Sequence, residues 1–508
     1  MSGLPSGWVR ATLESLRSNH VFSMVDGPYG SNLKTDDYVD QGARVVRLGN
    51  IGVGKFVDRV KAYVSAEKFA QLIKHRVVAG DLLIAALAEP VGRACVAPSD
   101  LGDAIVKADC IKMTVHEEIP TKYVMNWLNS PAGQAQTEER SRGIGRLRIN
   151  LANLRAAPVP VAPLEEQKRM VDRLNRLEVH REVAKESLDA IPPLLEKFRQ
   201  SVLAAAFRGD LTADWRRQNP DVEPASVLLE RIRAERRQRW EDAELAKMRA
   251  KGKEPKDDKW RSKYQEPSVA PDSLLGLPDG WYWSSLDFAG DWSSGGTPAR
   301  GIAEFYGGDI PWVKTGDLND GRIEEVPESL TQAGIENSSA KLFPPGTLLI
   351  AMYGATIGKL GMLGFEAATN QACAALLPSE SSSMCRDYLF FWLLRMRPEL
   401  RKLGQGGAQP NISQGILRGL CVPVPSPEEQ ALIVERIKEQ FDMIERIVEV
   451  LEFSKARLST LSQSILAKAF RGELVPQDPN DEPASVLLER IRAERAASPP
   501  TRKRKTRA

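Results

Sequence analysis

The sequence is poor in the residues that bind metals or form disulfides. Its 508 residues include five cysteines and four histidines. No two cysteines form a CxxC pair, and an odd count is typical of buried free thiols in a reducing compartment. We therefore expect neither disulfides nor a metal site from Cys95, Cys110, Cys373, Cys385, Cys421, His20, His75, His116 and His180.

Long hydrophobic runs are also missing. No segment approaches the roughly 20 apolar residues that a membrane-spanning helix needs. Residues 1–18 lack the apolar core of a signal peptide. The formal net charge of +3 is too small to indicate a partner by itself. These absences favour a soluble protein of the cytoplasm.

The common catalytic signatures are absent as well. There is no GxxxxGK[ST] phosphate-binding loop, so ATP hydrolysis in this chain is not expected. There is neither the [DNS]PP[YFW] motif of amino-methyltransferases nor a glycine-rich strand–turn–helix for S-adenosylmethionine. Gly295–Pro298 and Gly404–Gly407 lack the flanking strand and helix of a nucleotide site, and we interpret both as flexible loops. The chain is expected to bind rather than to catalyse.

What the sequence does contain is an internal repeat. It predicts two copies of one long helical unit, Glu165–Arg236 and Glu428–Arg495, because strings of this length do not recur by chance. Three strings occur in both copies: EPASVLLERIRAER at Glu223–Arg236 and Glu482–Arg495, EEQ at Glu165–Gln167 and Glu428–Gln430, and AFRG at Ala206–Gly209 and Ala469–Gly472.

Each helical copy carries a heptad seam, interrupted at Arg181 in the first copy. Such a seam needs a partner helix, and we expect the two copies to pair as an antiparallel coiled coil with a pseudo-two-fold axis. The alternative is that each helix packs separately on its own domain. The seam residues are Leu174, Leu177, Ala184, Leu188, Ile191, Leu195, Phe198 and Val202, and then Ile437, Gln440, Ile444, Ile447, Leu451, Ser454, Leu458, Leu461 and Ile465.

Pro192 and Pro193 interrupt the seam of the first copy only. Proline removes a backbone donor and disfavours helix in the residue before it. We therefore expect a kink or break near Ala190, with the prolines opening a second helical segment.

The two remaining parts of the chain are less alike. Short β-type runs with frequent turns, and one helix in each part, predict α+β domains of similar fold and different surface. The chain is thus predicted to be an α+β protein with two α/β domains separated by two long repeat helices. The predicted strands are Ala43–Leu48, Asp81–Ala86, Ile105–Val115, Ile310–Lys314, Gly346–Met352 and Ala372–Leu377, and the predicted helices are Thr121–Leu128 and Arg386–Leu394.

Several strings follow one another in a set order along the chain. In the first domain they are Gly27–Lys34, Val45–Asn50 and Gly80–Ile84; in the second they are Gly295–Pro298, Ile310–Leu318, Met352–Lys359 and Asn370-Gln371; in the helical copies they are Pro427–Gln430 and Ala469–Leu474. With this order and this duplicated layout, nearly the whole chain resembles the specificity subunit of type I restriction–modification systems.

The resemblance implies a division of labour. Each variable domain would be a target-recognition domain that reads one half of an interrupted DNA site. The paired helices would hold the two readers apart and dock two methyltransferase subunits, and a nuclease and translocase subunit would join them for restriction. S-adenosylmethionine, ATP and Mg are then expected in the partner subunits, and no cofactor in this chain. The methyltransferases would flip an adenine for N6 methylation, and this chain would select that adenine.

Two further expectations follow from the duplicated layout. Identical helical copies suit two copies of one partner, whereas dissimilar readers imply a non-palindromic site. A seam of about 35–40 residues is a rod of roughly 55 Å, which corresponds to a spacing of at most about 16 base pairs. One inserted helical turn should therefore lengthen the unread spacer.

The candidate DNA contacts are loop residues with polar or cationic side chains. Arginine binds phosphate or guanine, whereas asparagine suits adenine. Alternatively, these residues have a structural role without DNA contact: a salt bridge for Arg47, core positions for Tyr353 and Trp312, and a turn cap for Asn370. The candidates are Tyr29, Ser31, Asn32, Lys34, Arg47, Asn50, Arg140, Arg142, Arg146 and Arg148 in the first domain, and Thr297, Arg300, Lys314, Thr315, Tyr353, Lys359, Gln405, Gln409 and Asn411 in the second.

The charge of the second domain is unfavourable for phosphate binding. Leu277–Pro425 has 11 Lys and Arg against 15 Asp and Glu, a net of −4. Such a domain would bind DNA only if its charges are segregated or if the methyltransferases close around the duplex.

Other functions remain open at this point. The chain could serve another type of restriction–methyltransferase system, or it could be a coiled-coil scaffold with two carbohydrate- or protein-binding domains; an enzyme is the weakest alternative. The predicted domains are 1–163 and 271–426 for the readers, 164–270 for the first helical repeat with a charged, solvated extension, 427–497 for the second repeat, and 498–508 for a basic disordered tail.

Overall fold

The computed structural model describes residues 3–87, 89–143, 145–252, 254–255, 257–267, 276–377, 384–404 and 410–497. The chain divides into two compact units. The first consists of the residues up to 189 together with those from 450 onwards, and the second of residues 190–449. Each unit therefore combines one variable domain with parts of both helical copies, so the predicted domain limits stay a prediction.

The first unit contains eleven strands and five helices before residue 190, within the ranges that the structure describes. The strands are β1 (Val9–Thr12), β2 (Met24–Asp26), β3 (Tyr38–Val39), β4 (Ala43–Val46), β5 (Tyr63–Val64), β6 (Arg76–Val77), β7 (Leu82–Ala85), β8 (Ala94–Val96), β9 (Ala104–Val106), β10 (Cys110–Met113) and β11 (Pro158–Val161). The helices are α1 (Ala66–Gln71), α2 (Thr121–Leu128), α3 (Pro131–Glu139), α4 (Leu151–Arg155) and α5 (Leu164–Asp189).

The second unit repeats this layout after three further α-helices. Its helices are α6 (Ile191–Phe207), α7 (Ala213–Gln218), α8 (Ala225–Ala250), α9 (Gln332–Glu336), α10 (Arg386–Leu403), α11 (Gln414–Arg418) and the first part of α12 (Pro427–Ala469), and α13 (Ala484–Ala497) belongs to the first unit. Its strands are β12 (Tyr282–Ser285), β13 (Trp292–Ser294), β14 (Tyr306–Val313), β15 (Gly321–Ile323), β16 (Ser329–Leu330), β17 (Leu342–Phe343), β18 (Leu348–Ala351), β19 (Leu360–Leu363), β20 (Ala367–Thr369), β21 (Cys373–Leu376) and β22 (Cys421–Val424).

The sheets of the two units correspond. In the first unit, β2-β10-β7-β8 form an antiparallel sheet, and β3-β5-β4-β9-β6 form a second sheet in which β4 and β9 are parallel. In the second unit, β13-β21-β18-β19-β15 and β16-β14-β20-β17 take these roles; β14 and β20 are parallel as β4 and β9 are, and the additional strand β15 pairs in parallel with β19. The α+β fold with two similar domains is confirmed. The shared string GDLLIA or GTLLIA forms the buried central strands β7 and β18.

Two predicted elements have different limits. The run Ile105–Val115 is not one strand but two, β9 and β10, because Asp109 turns the chain with a φ of 67°. The helix predicted at Arg386–Leu394 continues as α10 to Leu403 and contains Pro398. Its apolar face, which includes Tyr388, Phe391 and Trp392, is buried and holds the helix together past the proline.

The long helical copies are interrupted in the same place. Gly209 and Gly472 have φ values of 79° and 75°, the left-handed conformation that ends a helix and that glycine adopts readily. Each predicted helical copy is therefore divided at this glycine, and α8 and α13 are separate elements. The predicted break near Ala190 is confirmed: α5 ends at Asp189 and α6 begins at Ile191, with both prolines in its first turn.

The long helices contact each other in antiparallel fashion within each unit. In the first unit, Met170 and Leu174 of α5 share a core with Phe470, and Lys455 of α12 pairs with Asp189 at 3.1 Å. In the second unit, Val202 and Phe207 of α6 share a core with Ile433 and Ile437 of α12, and the Arg199 guanidinium lies 5.5 Å from the Phe441 ring centre. The predicted antiparallel pairing is confirmed, and separate packing of each helix is not observed.

A tryptophan anchors each variable domain to its long helix. Trp8 Nε1 donates to Glu166 Oε2 at 2.9 Å in the first unit, and Trp281 Nε1 donates to Glu429 Oε2 at 2.8 Å in the second. Both carboxylates are buried. The repeated LPxGW and EEQ strings are thus the two sides of one contact, which fixes where each domain joins its helix.

The charged extension of the first copy contains the end of a long helix and a group of packed aromatic side chains. Here α8 continues to Ala250, and the ring centres of Trp240 and the buried Trp260 lie 5.9 Å apart in a stack. Tyr264 packs on Trp240 at 5.5 Å. Most of the described residues of 236–265 are exposed, in agreement with the interpretation as a largely solvated stretch, and Trp260 is buried because these aromatic side chains pack together. Within the described ranges, no helix is long and apolar enough to cross a membrane.

Candidate nucleic-acid interface

In the first unit, the ends of the parallel strands β4 and β9 place two cationic residues side by side. Arg47 follows β4 and Lys107 follows β9, and the Lys107 backbone N–H donates to the Val46 carbonyl at 2.8 Å. Gly27 packs against this point, since a Cβ there would lie 2.0 Å from the Lys107 carbonyl oxygen. Only glycine allows this approach, which brings the loop that follows Gly27 to the strand ends.

The strand ends open into a cavity of about 610 Å³. Four of its lining residues are cationic and none is acidic. They include the predicted Lys34 and Arg47, and also residues that were not predicted. The lining is Leu33, Lys34, Thr35, Tyr38, Val39, Arg47, Lys61, Ala62, Tyr63 and Lys107.

Tyr38 lies at the centre of this cationic group. The Arg47 guanidinium is 5.3 Å and the Lys107 ammonium 5.6 Å from the centre of its ring. Both distances are those of a cation–π contact. Arg47 makes no salt bridge with any described residue, so the alternative structural role, a salt bridge, is not observed for this residue.

Tyr29 and Arg148 are distant in sequence and meet in the structure. The Arg148 guanidinium lies 5.0 Å from the Tyr29 ring centre and pairs with Asp109 at 2.9 Å. Partial burial, reinforced by the charge of Asp26, raises the pKa of the Tyr29 hydroxyl, which therefore stays a hydrogen-bond donor at neutral pH. Ser31 and Asn32 are exposed in the short 3-10 turn that follows.

The arginine-rich segment divides into two kinds of residue. Arg140 closes the end of α3, where it donates to Gln136 at 2.7 Å. Arg142 and Arg148 exchange backbone hydrogen bonds of 2.9 and 3.0 Å across a narrow loop. On this loop, Arg142 and Arg146 are exposed. These two arginines are therefore accessible to a ligand, whereas Arg140 is engaged in capping.

Asn50 was predicted to contact DNA, which requires an accessible side chain, but its side chain is inaccessible. It is fully buried, its amide donates to the Val57 and Val60 carbonyls at 2.8 and 3.1 Å, and its oxygen accepts from the Arg47 backbone at 3.0 Å. All of its hydrogen-bonding groups are used within the domain. Asn50 thus shapes the turn that presents Arg47 and offers no group to a base in this conformation.

The second unit has the same turn with different chemistry. Lys314 follows β14 as Arg47 follows β4, and its backbone N–H donates to Asp317 at 2.8 Å. Asn370 stands where Lys107 does, since its backbone N–H donates to the Val313 carbonyl at 3.0 Å. The Lys314 ammonium is paired with Glu328. One cationic position is therefore neutralised here and the other is uncharged.

The other candidates of the second unit fall into two groups. Arg300 is exposed and lies 5.8 Å from the ring centre of the buried Trp312, beside a cavity of about 410 Å³, and Thr297 is hydrogen-bonded to Gln371. Tyr353 is 43% exposed and forms a β-bridge with the exposed Asn411. The core alternative therefore holds for Trp312 and not for Tyr353.

The remaining candidates are Thr315, Lys359, Gln405 and Gln409. Thr315 and Lys359 are half-buried. Gln405 and Gln409, like the predicted basic tail 498–508, lie outside the described residues.

The glycines at Gly295–Pro298 are not a flexible loop. A Cβ at Gly295 would lie 1.9 Å from the Thr369 carbonyl oxygen, and one at Gly296 would lie 2.3 Å from Ser339 Oγ. The Gly296 N–H donates to Thr369 at 2.9 Å. The earlier interpretation is wrong for these residues, which are tightly packed because they dock a loop on the end of β20, as Gly27 does on β9.

The sequence alone missed Tyr38, Lys61 and Lys107. Lys107 had a usable signal, since it directly follows an apolar strand, as Arg47 does. Tyr38 and Lys61 had none, because their place beside Arg47 depends on how β3 and β5 pair.

The described residues contain no cluster of side chains that could hold a metal ion. Burial raises the pKa of the Cys95, Cys110 and Cys373 thiols to about 12, so these cysteines are protonated at neutral pH. They have the character of core residues rather than nucleophiles.

The two variable domains differ in charge. Residues 1–163 contain 20 Lys and Arg against 16 Asp and Glu, a net of +4, compared with −4 for residues 277–425. Electrostatic attraction for a polyanion is therefore concentrated in the first domain.

Comparisons with known proteins agree on one family. A family model described as type I restriction modification DNA specificity domain matches residues 36–192 and again residues 287–452. The chain is 26% identical over 517 residues to the type I restriction enzyme EcoKI specificity subunit of Escherichia coli strain K12, covering 97% of both proteins. It is 26% identical over 376 residues to the EcoDI specificity subunit of Escherichia coli, covering 71% of this chain and 74% of that protein.

A solved structure shares the fold. It comes from a study of complex assembly and conformational transition of the type I R-M system, with a TM-score of 0.61 and 20% identity. It covers 93% of this chain and 100% of that chain. At this identity, the likeness concerns the fold alone.

Proposed function

The chain belongs to the type I restriction–modification DNA specificity family, and from this premise we propose that its two variable domains read the two halves of one bipartite DNA site. The chain is the specificity component of such a system and is itself non-catalytic. The observation that carries the proposal is the double match of the family model, once over each variable domain and the helix that follows it.

The site is non-palindromic under this proposal. The strand ends that carry Arg47 and Lys107 in the first domain carry Lys314 and Asn370 in the second, and Lys314 is paired with Glu328. Different side chains at corresponding positions suit different base sequences. The accessible candidates for contact with DNA are Tyr29, Ser31, Asn32, Lys34, Arg47, Arg142 and Arg146 in the first domain, and Arg300, Tyr353 and Asn411 in the second.

The paired long helices set the spacing between the half-sites and dock two methyltransferase subunits. The support is the repeat itself, because two like surfaces suit two like partners. A nuclease and translocase subunit joins for restriction. S-adenosylmethionine, ATP and Mg belong to these partners, and the complex works in the cytoplasm, where the DNA to be read is located.

Reconstitution tests this proposal. The full-length chain, the methyltransferase subunit of the same host, and the two together would be incubated with S-adenosylmethionine and DNA that lacks the modification. We expect adenine methylation only from the combination. Methyl transfer by this chain alone, or equal methylation with and without it, would contradict the proposal.

A further inference from the structure

We propose that the cavity at the ends of β4 and β9 binds backbone phosphates of duplex DNA, and that the equivalent position of the second unit does not. The inference rests on the proposed function, since its ligand is the DNA that this chain would read. It adds a phosphate site with three residues that were not predicted from the sequence, namely Tyr38, Lys61 and Lys107.

Two of the four cations of the cavity, Arg47 and Lys107, have no acidic partner among the described residues. Lys34, Arg47, Lys61 and Lys107 line it, and no acidic residue does. Asp58, on the neighbouring loop, pairs with Lys61 at 3.1 Å and with Arg44 at 2.5 Å. Arg47 and Lys107 form no ion pair with any described residue, so both keep their charge and their donors for an external anion.

The side chains of Arg47 and Lys107 are held together by one aromatic ring. Arg47 and Lys107 are half-buried, and both charges lie within 6 Å of the centre of one ring, that of Tyr38. A cation–π contact restrains a cation without neutralising it. Two like charges gathered and partly desolvated in this way repel each other until an anion joins them. The arrangement favours a phosphate that both can contact.

The charges at the matching positions of the second unit are different. The matching positions there are Lys314, which is paired with Glu328, and Asn370, which carries no charge. The adjacent cavity is lined by Arg300 and by Glu328. The same fold position is therefore an anion site in one unit and internally neutralised in the other. We infer that the salt-dependent part of DNA affinity comes mainly from the first unit.

The test is the salt dependence of DNA binding by the full-length chain. A fluorescent mixed-sequence duplex of about 30 base pairs would be titrated at NaCl concentrations from about 0.05 to 0.5 M. Each phosphate contact contributes about 0.9 to the slope of log K against log salt. In the double variant Arg47→Gln/Lys107→Gln, we expect the slope to become shallower by about 1 to 2 and the affinity at about 0.1 M NaCl to fall about tenfold or more.

Matched controls separate a phosphate site from a general loss of charge. Lys314→Gln removes the equivalent cation of the second unit, and Arg10→Gln/Lys122→Gln removes two exposed charges elsewhere on the first; both should leave the slope unchanged. Lys34→Gln/Lys61→Gln changes only exposed side chains of the cavity wall, so its expected intermediate loss of slope does not depend on folding. The melting temperature of Arg47→Gln/Lys107→Gln should not be lower than that of the native chain, because the repulsion between the two cations is removed.

Two outcomes would overturn the inference, and they can be told apart. If the native chain binds DNA with a steep salt slope and the cavity variants keep it, the phosphate site is wrong and the proposed function stands. If the native chain binds duplex DNA at no salt concentration, either alone or together with its methyltransferase subunit, the proposed function fails, and the phosphate site fails with it.

Discussion

Glu166 and Glu429 occupy the same place in the two repeats but have different partners. Both are buried, and both accept a hydrogen bond from a tryptophan. Glu429 is also hydrogen-bonded by Thr212 at 2.6 Å and paired with Arg216. In the first unit, Val475 takes the place of Thr212, and the nearby Arg169 is paired with Asp481 at 2.6 Å. Burial consequently raises the pKa of Glu166.

The partners of Glu429 predict a large cost for its removal. Glu429→Gln leaves the largely buried Arg216 without its carboxylate, and breaking a buried pair in this way costs about 3 kcal/mol or more. Glu166→Gln keeps the acceptor for Trp8 and abandons no cation, so it should cost far less. Chemical denaturation of the two variants checks this order. Equal destabilisation by both would contradict the difference in partners.

Glu166 also predicts a pH dependence. Its folded-state pKa is raised above the unfolded value, so its contribution to stability is fully present below the ordinary glutamate pKa, about 4.3. That contribution is lost as the pH rises through the folded pKa. Relative to the native chain, Glu166→Gln should therefore gain thermal stability as the pH increases from about 4 to 8.

Melting temperatures across this pH range measure the effect. If the melting temperatures of the native chain and of Glu166→Gln change with pH to the same extent, burial does not destabilise the ionised form of Glu166.

Residue-level prediction succeeded where chemistry is local and failed where the fold decides. Arg47 and Tyr29 were predicted from polar loop strings. The structure places Arg47 at a half-buried position that shares the Tyr38 ring with Lys107, and Tyr29 at an exposed position against Arg148. Asn50 has the residue type of a base reader, but it is buried because its amide closes a turn. Lys61 joins Arg47 only through pairing of β5 with β4, which no local pattern reveals.

At the scale of elements, the heptad seam and the proline pair were sufficient to predict the helices. Periodicity is a local property, and so is the loss of a backbone donor at proline. The breaks at Gly209 and Gly472 within the copies were not predicted, because the heptad seams end before them, at Val202 and Ile465, and glycine in a sequence does not by itself reveal a left-handed conformation. The division of Ile105–Val115 was missed for a related reason, since Asp109 adopts a positive φ that is unusual for a non-glycine residue.

The paired helices predict a measurable change of spacer. One heptad inserted after Ala184 in α5 and one after Thr460 in α12 keeps the seam in phase, since these positions oppose each other if the pairing of Asp189 with Lys455 continues. Seven residues add about 10 Å of helix, or about 3 base pairs of DNA. We expect the methylated motif to gain about this number of unread positions, read by sequencing DNA from cells that carry the variant.

The control is a heptad inserted after Asp221, in the loop between α7 and α8 and outside the paired helices. This insertion should leave the spacer unchanged. A spacer of constant length in the double insertion, with methylation retained, would contradict the role of the helices in setting the distance.

At the scale of the whole molecule, the sequence predicted duplication but not which copies contact each other. The Ala225 N–H donates to Gly280 at 3.0 Å in the second unit, and the Ala484 N–H donates to Gly7 at 2.9 Å in the first. The last helix of the chain therefore packs in the unit that contains the first domain. Because the two EPAS strings are identical, no pattern in the sequence could assign one of them to either glycine turn.

We propose that this one chain specifies both halves of an asymmetric methylation site. The most direct test is the adenine methylome of the host, read by long-read sequencing with the gene present, deleted and restored. We predict the loss of a single interrupted, non-palindromic motif on deletion and its return on restoration. An unchanged methylome, in cells where the partner methyltransferase is present and active, would contradict the account.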